Sequence, residues 1–252
     1  MNDLNGKCVI VTGAARGIGQ EYAVSLASLG ANVVAADLND CAETVKRAEE
    51  QPGTVIGTTL NVTDLAQAEA AVALALSRFD RLDGLINNAA LYGTLKGGRF
   101  DTLSEADWDA AMDVNVKGIW NCCRAAVPAM RKIGAGSIIN IASLAGSYGT
   151  PYVLHYTTSK AAVSGMTRGL ARELGRDKIR VNAIAPSAVL TEATNDFFAD
   201  KTDVALKTIR SMQSIAENLQ PSDLVGTANW LLSDASAFIT GQTIAVDGGT
   251  MM

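Results

Sequence analysis

The residues with the clearest chemical potential are Tyr156 and Lys160, which lie four positions apart. If this stretch is helical, both side chains lie on one face, so the ammonium lies beside the phenol. A free tyrosine has a pKa near ~10, and lowering it by about three units takes roughly 4 kcal/mol. A positive charge ~4 Å away supplies about that much at a protein-like effective dielectric. The spacing therefore predicts a proton-transferring tyrosine, although ordinary surface pairs share it.

Four further motifs accompany the Tyr156–Lys160 pair. In chain order they are residues 12–19 (TGAARGIG), residues 87–89 (NNA), Asn115 and Ser143. Together with YxxxK, this series resembles the short-chain dehydrogenase/reductase family in its short form, and the resemblance covers residues 7–249. Residues 183–187 (AIAPS) and the His155-Tyr156 pair are similar to bacterial NAD-dependent secondary-alcohol dehydrogenases that act on 1-phenylethanol.

Composition limits the possible partners. The chain has 252 residues and a net charge of -5, with no basic run, which argues against a nucleic-acid partner. Its four cysteines (Cys8, Cys41, Cys122 and Cys123) and its lone histidine, His155, lack metal-ligand spacing, so no metal site is expected. No signal core or membrane-spanning apolar run is present, which predicts a cytoplasmic protein without a membrane partner.

Alternating strand and helix patterns predict an α/β fold. We expect one domain over residues 1–252, built as a doubly wound, Rossmann-type sheet of about seven parallel strands with helices on both faces. The predicted strands are residues 7–11, 32–36, 54–60, 82–86, 136–142, 179–184 and 243–246. The predicted helices are residues 17–29, 41–51, 64–79, 104–130 and 156–174. Residues 191–220 contain no obvious strand and are interpreted as a substrate lid.

Three glycines, Gly13, Gly17 and Gly19, lie between the first strand and the first helix. Glycines at such a turn allow a pyrophosphate to approach the backbone and rest on the positive end of the helix. The G-x3-G-x-G spacing differs from the G-x-G-x-x-G of other dinucleotide folds, so the family resemblance carries this assignment. An ordinary glycine-rich turn is the alternative.

Asp37 indicates which cofactor binds. It ends the second strand about 20 residues after the glycines, where an acid can bind the adenosine ribose hydroxyls and repel a 2′-phosphate. Arg16 favours NADP, because relatives that bind NADP often carry a basic residue there. Leu38 stands where such relatives often have arginine. The sequence therefore predicts NAD, with NADP less favoured, although Asp37 could also cap a helix.

The resemblance implies further cofactor contacts. Residues implied to border the cofactor are Ile18 beside the phosphates, Asn61 and Val62 at the adenine, Asn88 and Ala89 after the fourth strand, and Pro186, Val189 and Thr191 near the nicotinamide carboxamide. The chain departs from the family pattern at Ala90 and Ser187, where relatives usually have glycine.

The resemblance also implies the mechanism. Tyr156, as phenolate, takes the alcohol proton, while Lys160 lowers its pKa and holds the nicotinamide ribose. Ser143 positions the substrate oxygen, and Asn115 maintains a water path to Lys160. Hydride passes from the carbinol carbon to the nicotinamide. His155 is interpreted as a packing or pocket-rim residue, because adjacent helix residues point in different directions.

These interpretations predict an enzyme acting on a small or medium apolar secondary alcohol or its ketone. A homotetramer is expected by resemblance. Three alternatives stay open. A sugar-nucleotide epimerase of the extended family also uses YxxxK, but it would need a longer C-terminal substrate region than this sequence has. An NADP-dependent 3-oxoacyl reductase shares every catalytic motif, with Asp37 as the main argument against it. A non-catalytic NAD-sensing binder belongs to a different class, and the complete set of Asn115, Ser143, Tyr156 and Lys160 argues against it.

Overall fold

The computed structural model describes residues 4–198, 200 and 202–251. Its centre is a seven-stranded parallel sheet with the strand order β3-β2-β1-β4-β5-β6-β7. The strands are β1 (Cys8–Thr12), β2 (Asn32–Asp37), β3 (Val55–Thr59), β4 (Gly84–Asn87), β5 (Gly136–Ile141), β6 (Ile179–Pro186) and β7 (Thr243–Val246). The predicted seven-stranded doubly wound sheet is confirmed.

Ten α-helices connect and cover these strands within the described ranges. They are α1 (Gly17–Ser28), α2 (Ala42–Arg47), α3 (Leu65–Phe79), α4 (Glu105–Met112), α5 (Gly118–Ile133), α6 (Leu144–Tyr148), α7 (Leu154–Leu174), α8 (Glu192–Phe198), α9 (Thr202–Met212) and α10 (Ser222–Leu232). Asp64 caps α3, since its carboxylate accepts hydrogen bonds from the backbone N–H groups of Ala66 and Gln67.

The sheet separates two apolar cores. Because successive strand residues point to opposite faces, Cys8 and Ile10 pack with α3, α5 and α7, while Val9 and Val11 pack with α1 and α10. Both faces of the central strands are therefore buried, which explains their continuous runs of apolar residues. The carboxyl ends of the strands all lie at one edge, where ligands bind in such sheets.

Two predicted helices differ from the structure, and a further helix was missed. The helix expected over residues 104–130 is interrupted by a π-helical turn at Asp113–Lys117, which inserts an extra residue into the turn that carries Asn115. The helix expected over residues 41–51 is shorter, since α2 ends at Arg47. Helix α10 was not predicted, and it packs its buried face on α1 and β5.

The segment between β6 and α10 consists mainly of two helices, α8 and α9. Its two ends are held together by a parallel bridge between Val189 and Leu219, with the Leu190 N–H donating to the Leu219 carbonyl at 2.8 Å. The α8–α9 segment therefore leaves the sheet and returns to it at nearly the same place.

Candidate active site

A cavity of about 840 Å³ opens at the carboxyl edge of the sheet. It is large enough for a nucleotide-sized ligand and a small substrate. The predicted site residues that line it are Gly13, Arg16, Gly17, Ile18, Asp37, Leu38, Asn61, Val62, Asn88, Ala89, Ser143, Tyr156, Lys160, Pro186, Val189 and Thr191. Gly19 and Asn115 lie behind its walls. Residues from most of the chain therefore meet at one cavity.

Hydrogen bonds join the glycine-rich turn after β1 (residues 13–19, here called the phosphate turn) to the turn after β4. The Thr12 hydroxyl accepts hydrogen bonds from the N–H groups of Asn88 and Ala89, both at 3.0 Å. In return, Asn88 Nδ2 donates to the carbonyls of Thr12 and Gly13, also at 3.0 Å. Asn88 thus both lines the cavity and fixes the phosphate turn.

Gly13 and Gly19 are required by packing of this turn on itself. A Cβ atom at Gly19 would lie 2.1 Å from the Gly13 carbonyl oxygen and 2.6 Å from Asn88 Nδ2. Gly13 has a φ of +67°, and a Cβ atom there would lie 2.8 Å from Ala89 Cα. Gly19 thereby shapes the turn without facing the cavity.

Two residues of the first two helices, Thr44 and Gln20, support the phosphate turn and were not identified from the sequence. The buried Thr44 hydroxyl of α2 donates to the Ala14 carbonyl at 2.6 Å. Gln20 of α1 donates to the Ala15 carbonyl at 3.3 Å and to Thr44 Oγ1 at 3.0 Å. Nothing in the sequence distinguishes this threonine from other helix residues.

Asp37 lies at the opposite end of the cavity from the catalytic candidates. One carboxylate oxygen accepts from the Ala15 N–H at 3.0 Å, and the other accepts from the Asn39 N–H at 2.9 Å. It does not cap α2, because Cys41 is the N-cap residue of that helix. The carboxylate is therefore held beside the phosphate turn, where ribose hydroxyls could donate to its remaining lone pairs.

Arg16 makes an ion pair that the sequence did not predict. Its Nη1 atom lies 2.7 Å from Glu192 Oε2, at the start of α8. Both side chains are exposed, and both residues line the cavity. The contact spans the cavity between the phosphate turn and the α8–α9 segment.

The catalytic candidates meet at the other end of the cavity. Ser143 is the N-cap residue of α6, and its Oγ accepts from the Ala145 N–H at 3.2 Å, which leaves its own hydroxyl proton free to donate. Tyr156 and Lys160 share one face of α7 as predicted, with Lys160 Nζ 5.8 Å from the Tyr156 ring centroid. Lys160 Nζ donates to the Ile141 carbonyl at 2.8 Å.

The sequence predicts a lowered pKa for Tyr156, but its net pKa shift in the structure is in the opposite direction. Burial raises the pKa of Tyr156 to about 12, and a hydrogen bond with Ser143 offsets only part of that rise. Burial also lowers the pKa of Lys160 to about 8. Removing water disfavours both charged forms, the Tyr156 phenolate and the Lys160 ammonium. Tyr156 is therefore a neutral phenol near pH 7.

Asn115 holds a loop rather than contacting Lys160. Its Oδ1 accepts from the Leu91 N–H at 2.7 Å, and its Nδ2 donates to the Leu91 carbonyl at 3.1 Å and to Ser159 Oγ at 3.1 Å. The side chain thus joins the segment after β4 to α7. The water path that the family resemblance implies stays a prediction.

His155 is fully buried and also contacts this loop. Its Nδ1 accepts from the Tyr156 N–H at 2.7 Å, so in the neutral ring the proton is on Nε2. Nε2 lies 3.3 Å from the Lys96 carbonyl, to which it donates. His155 thus connects the first turn of α7 to the loop that follows Leu91.

Aromatic rings cover Tyr156. The Tyr92 ring lies 5.0 Å from the Tyr156 ring and stacks on Phe197 of α8 at 4.3 Å. Phe197 in turn contacts Phe198 edge-to-face at 5.2 Å. These contacts join segments far apart in the chain. By contrast, the side chains of Tyr152 and Ile215 are exposed at 68% and 65%.

Ser187, which replaces a family glycine, has a polar partner. Gln213 Nε2 donates to Ser187 Oγ at 3.4 Å and to the Asp247 carbonyl at 3.2 Å. The hydroxyl therefore joins the end of β6 to the end of α9 and to the C-terminal turn, rather than standing free beside the cavity.

The residues of the cavity fit a dinucleotide. Helix α1 begins at the cavity with Arg16 as N-cap residue, and neither a side-chain cap nor an acidic residue in its first turn blocks the free N–H groups. Such a helix start attracts a phosphate. Asp37 offers acceptors at one end, and Ser143, Tyr156 and Lys160 offer donors at the other. Among the described residues, no cluster of metal-binding side chains occurs.

Comparison with known proteins identifies the family. A family model described as enoyl-(acyl carrier protein) reductase matches residues 13–251. The chain is 38% identical over 251 residues to the 3-oxoacyl-[acyl-carrier-protein] reductase of Thermotoga maritima, covering 99% of both proteins. The chain belongs to the short-chain dehydrogenase/reductase family. It is thus an oxidoreductase of a family that uses a nicotinamide cofactor.

Solved structures of the short-chain dehydrogenase/reductase family agree with this fold. A protein from Sinorhizobium meliloti, proposed to be a short-chain alcohol dehydrogenase, is 35% identical with a TM-score of 0.92, covering 99% of this chain and 98% of its own. A short-chain type dehydrogenase/reductase from Mycobacterium ulcerans is 27% identical with a TM-score of 0.92, covering 98% of this chain and 90% of its own. The specific similarity to 1-phenylethanol dehydrogenases stays a prediction.

Within the described part of the chain, no helix is both long and apolar enough to cross a membrane. The cytoplasmic location stays a prediction.

Proposed function

We propose that the protein interconverts a ketone and a secondary alcohol, with NAD(H) as its cofactor and Tyr156 as the general acid and base. One observation supports this most strongly. Ser143, Tyr156 and Lys160 line one end of a cavity whose other end is lined by Asp37 and the phosphate turn. A non-catalytic NAD sensor would have no use for the first three residues.

The chemistry follows from the hydroxyl groups. In the reductive direction, Ser143 donates a hydrogen bond to the carbonyl oxygen and Tyr156 transfers its phenolic proton to the same oxygen. A pKa of about 12 keeps Tyr156 protonated at neutral pH, which suits this direction. A bound reduced nicotinamide supplies the hydride. Alcohol oxidation reverses these steps and requires Tyr156 to accept a proton.

Two ketone classes have separate support. The curated relatives named 3-oxoacyl reductases favour a 3-oxoacyl thioester, and they support it better than a simple secondary alcohol. Apart from Lys160, the substrate end of the cavity is lined by uncharged residues, including Tyr92, Phe197 and Met212, which accommodates an apolar group of either class. We take the 3-oxoacyl thioester as the stronger candidate and the small apolar ketone as the second.

Two structural roles complete the proposal. Residues 191–220 act as a substrate lid, because Phe197, Phe198 and Ile209 of this segment line the cavity.

The chain assembles as a homotetramer through α7, where a Cβ atom at Gly165 or Gly169 would meet no heavy atom within 4 Å. Small residues on an open helix face allow close helix approach, and light scattering measures the assembly.

The test is reduced-nicotinamide absorbance with purified protein. Acetoacetyl-coenzyme A serves as the 3-oxoacyl probe, and acetophenone with 1-phenylethanol serves as the small apolar pair, each with NAD(H) and NADP(H). We expect turnover with NAD(H) well above NADP(H). Turnover with NADPH alone would contradict the Asp37 argument, and tight cofactor binding without turnover of any compound would support the sensor instead.

Asp37→Ala tests the preference for NAD over NADP separately from the proposed reaction. Removing the carboxylate should weaken NAD and relax discrimination against NADP by about tenfold or more, since it removes both ribose acceptors and a repelling charge. Glu49→Ala, which removes a carboxylate away from the cavity, is the control. An unchanged NAD/NADP ratio in Asp37→Ala would contradict the assignment.

A further inference from the structure

The contact between Arg16 and Glu192 crosses the cofactor end of the cavity. Arg16 precedes the first turn of α1, and Glu192 is the first residue of α8, 176 positions later. The Nη1–Oε2 distance is 2.7 Å. Because the two residues come from different parts of the fold, helix geometry alone does not create this pair.

The backbone around Glu192 is anchored independently of that ion pair. A Cβ atom at Gly17 would lie 3.6 Å from the Thr191 methyl group, so the start of α8 packs close to the phosphate turn. Thr194 Oγ1 donates to the Val189 carbonyl at 2.6 Å, and the Thr194 N–H donates to the Thr191 carbonyl at 3.1 Å. The fold therefore keeps the Glu192 carboxylate within reach of the guanidinium.

Arg16 is the cation best placed for an anion at the adenosine end. Among the described residues that line the cavity, the cations are Arg16 and Lys160. Lys160 lies at the catalytic end, where it donates to the Ile141 carbonyl. A 2′-phosphate on the ribose would therefore depend on Arg16, and it would have to compete with the Glu192 carboxylate for the same guanidinium donors.

We propose that Glu192 is a specificity-determining residue that engages Arg16 and thereby favours a cofactor without a 2′-phosphate. The proposal rests on the nicotinamide chemistry proposed above and adds a second determinant to Asp37. Asp37 acts directly by repelling the phosphate. Glu192 acts by occupying the cation that would otherwise attract it.

The expected size of the effect is modest. Ion pairs between exposed side chains are weak and are screened by salt. We therefore expect Glu192→Gln to tighten binding of a 2′-phosphorylated nucleotide by about two- to fivefold, less than the effect of Asp37→Ala. Raising the salt concentration from about 0.05 to 0.5 M should reduce the difference, because the screening length falls several-fold.

Calorimetric binding of two nucleotide fragments tests the proposal without any turnover. The probes are adenosine 2′,5′-bisphosphate and 5′-AMP, which differ only in the 2′-phosphate. In Glu192→Gln, the bisphosphate should bind about two- to fivefold more tightly, while 5′-AMP changes less. In the Arg16→Gln background, adding Glu192→Gln should have no further effect on the ratio of the two affinities.

A matched control distinguishes the pair from a general loss of negative charge. Glu21 pairs with Arg47 at 2.9 Å on α1 and α2, and Glu21 does not line the cavity. Glu21→Gln removes the same charge and should leave the affinity ratio unchanged. A similar shift in Glu21→Gln, or in the Arg16→Gln background, would overturn the proposal.

The remaining outcomes separate this proposal from the proposed function. No shift in Glu192→Gln, with NAD-dependent turnover intact, would overturn the role of Glu192 alone. The expected shift without turnover of any ketone would contradict the reaction but support the role of Glu192. If neither fragment binds to the wild-type protein, both proposals fail at the adenosine end.

Discussion

The cofactor end and the substrate end of the cavity are held together by different forces. At the cofactor end, short polar contacts join turns that follow neighbouring strands, as Thr12 and Asn88 do between β1 and β4. At the substrate end, the walls are a loop after β4 and the helix α8, which meet through the rings of Tyr92 and Phe197. Hydrogen bonds are directional, whereas apolar contacts are not.

Because of this difference, the cofactor end is the fixed half of the cavity and the substrate end is its adaptable half. The cofactor end tolerates little change, because glycine packing leaves no space for a side chain at Gly13 or Gly19. The substrate end can vary its ring contacts while Ser143, Tyr156 and Lys160 remain in place, which under the proposed function would allow it to accept different ketones. Relatives with different substrate names are consistent with such a division.

Tyr156→Phe should produce the largest effect, and it should change turnover without changing cofactor binding. Losing the hydroxyl removes the proton donor, so kcat should fall by about 10²- to 10⁴-fold. The dissociation constant of NADH should change by less than about threefold, because the phosphate turn and Asp37 are untouched. Stopped-flow turnover and fluorescence titration measure the two quantities. Retained turnover would refute the role of Tyr156.

Gly19→Ala should distort the cofactor end of the cavity and leave the substrate end unchanged. Its Cβ atom would lie 2.1 Å from the Gly13 carbonyl oxygen, which the backbone cannot relieve without moving the turn. We expect a loss of about 1 to 3 kcal/mol in the free energy of unfolding, with weaker cofactor binding, by urea denaturation and calorimetry. Gly226→Ala in α10, where no heavy atom lies within 4 Å, is the control and should be neutral or stabilising. Equal effects of the two variants would contradict the packing argument.

Lys160→Met tests the cost of burying an amine between the two ends. Since burial lowers the pKa of Lys160 to about 8, the folded chain binds this proton less tightly than the unfolded chain does. Wild-type stability should therefore rise between about pH 8 and pH 10, where only the unfolded state keeps the proton. The methionine variant has no buried amine and so no cost of burying its charge. It should therefore be about 1 to 2 kcal/mol more stable than wild type at pH 7.

The advantage of Lys160→Met should shrink as the pH approaches 10, because the wild-type amine is then neutral in the folded state. Thermal unfolding at pH 7 and pH 9.5 measures this difference. The lost hydrogen bond to the Ile141 carbonyl reduces the gain at both pH values equally. An advantage that grows with pH would contradict the direction of the pKa shift.

The same division explains what the sequence could predict. All seven strands were found, because buried parallel strands appear as short apolar runs followed by turn residues, as in β1 and Gly13. Motif residues at the carboxyl ends of those strands meet because the topology brings the strand ends to one edge. Spacing and family resemblance could therefore predict which residues meet at the cavity.

What the sequence could not predict depends on three-dimensional surroundings. The Tyr156–Lys160 spacing gave proximity correctly, but the direction of the pKa shift depends on burial, which spacing does not reveal. The π-helical turn at Asp113–Lys117 lies inside the stretch that was expected to be one continuous helix. Contacts such as Tyr92 with Phe197 and Arg16 with Glu192 join residues more than 100 positions apart. No local pattern encodes them.

The substrate end can be tested by itself through His155. Its Nε2–H donates to the backbone carbonyl of Lys96, and this loop also carries Tyr92, whose ring contacts Tyr156. His155→Asn retains an acceptor near the Tyr156 N–H but is too short to reach the loop. Losing this hydrogen bond should raise the KM for the ketone by about fivefold, with kcat and NADH affinity nearly unchanged.

Two further variants decide whether His155 positions the loop. Lys96→Ala should be silent, because the partner of His155 is the Lys96 backbone carbonyl and not its side chain. His155→Gln should restore part of the KM, because its amide nitrogen extends about as far as Nε2 does. If KM stays unchanged in His155→Asn while NADH affinity falls, the two ends of the cavity are coupled through α7. The fixed and adaptable halves would then not be independent.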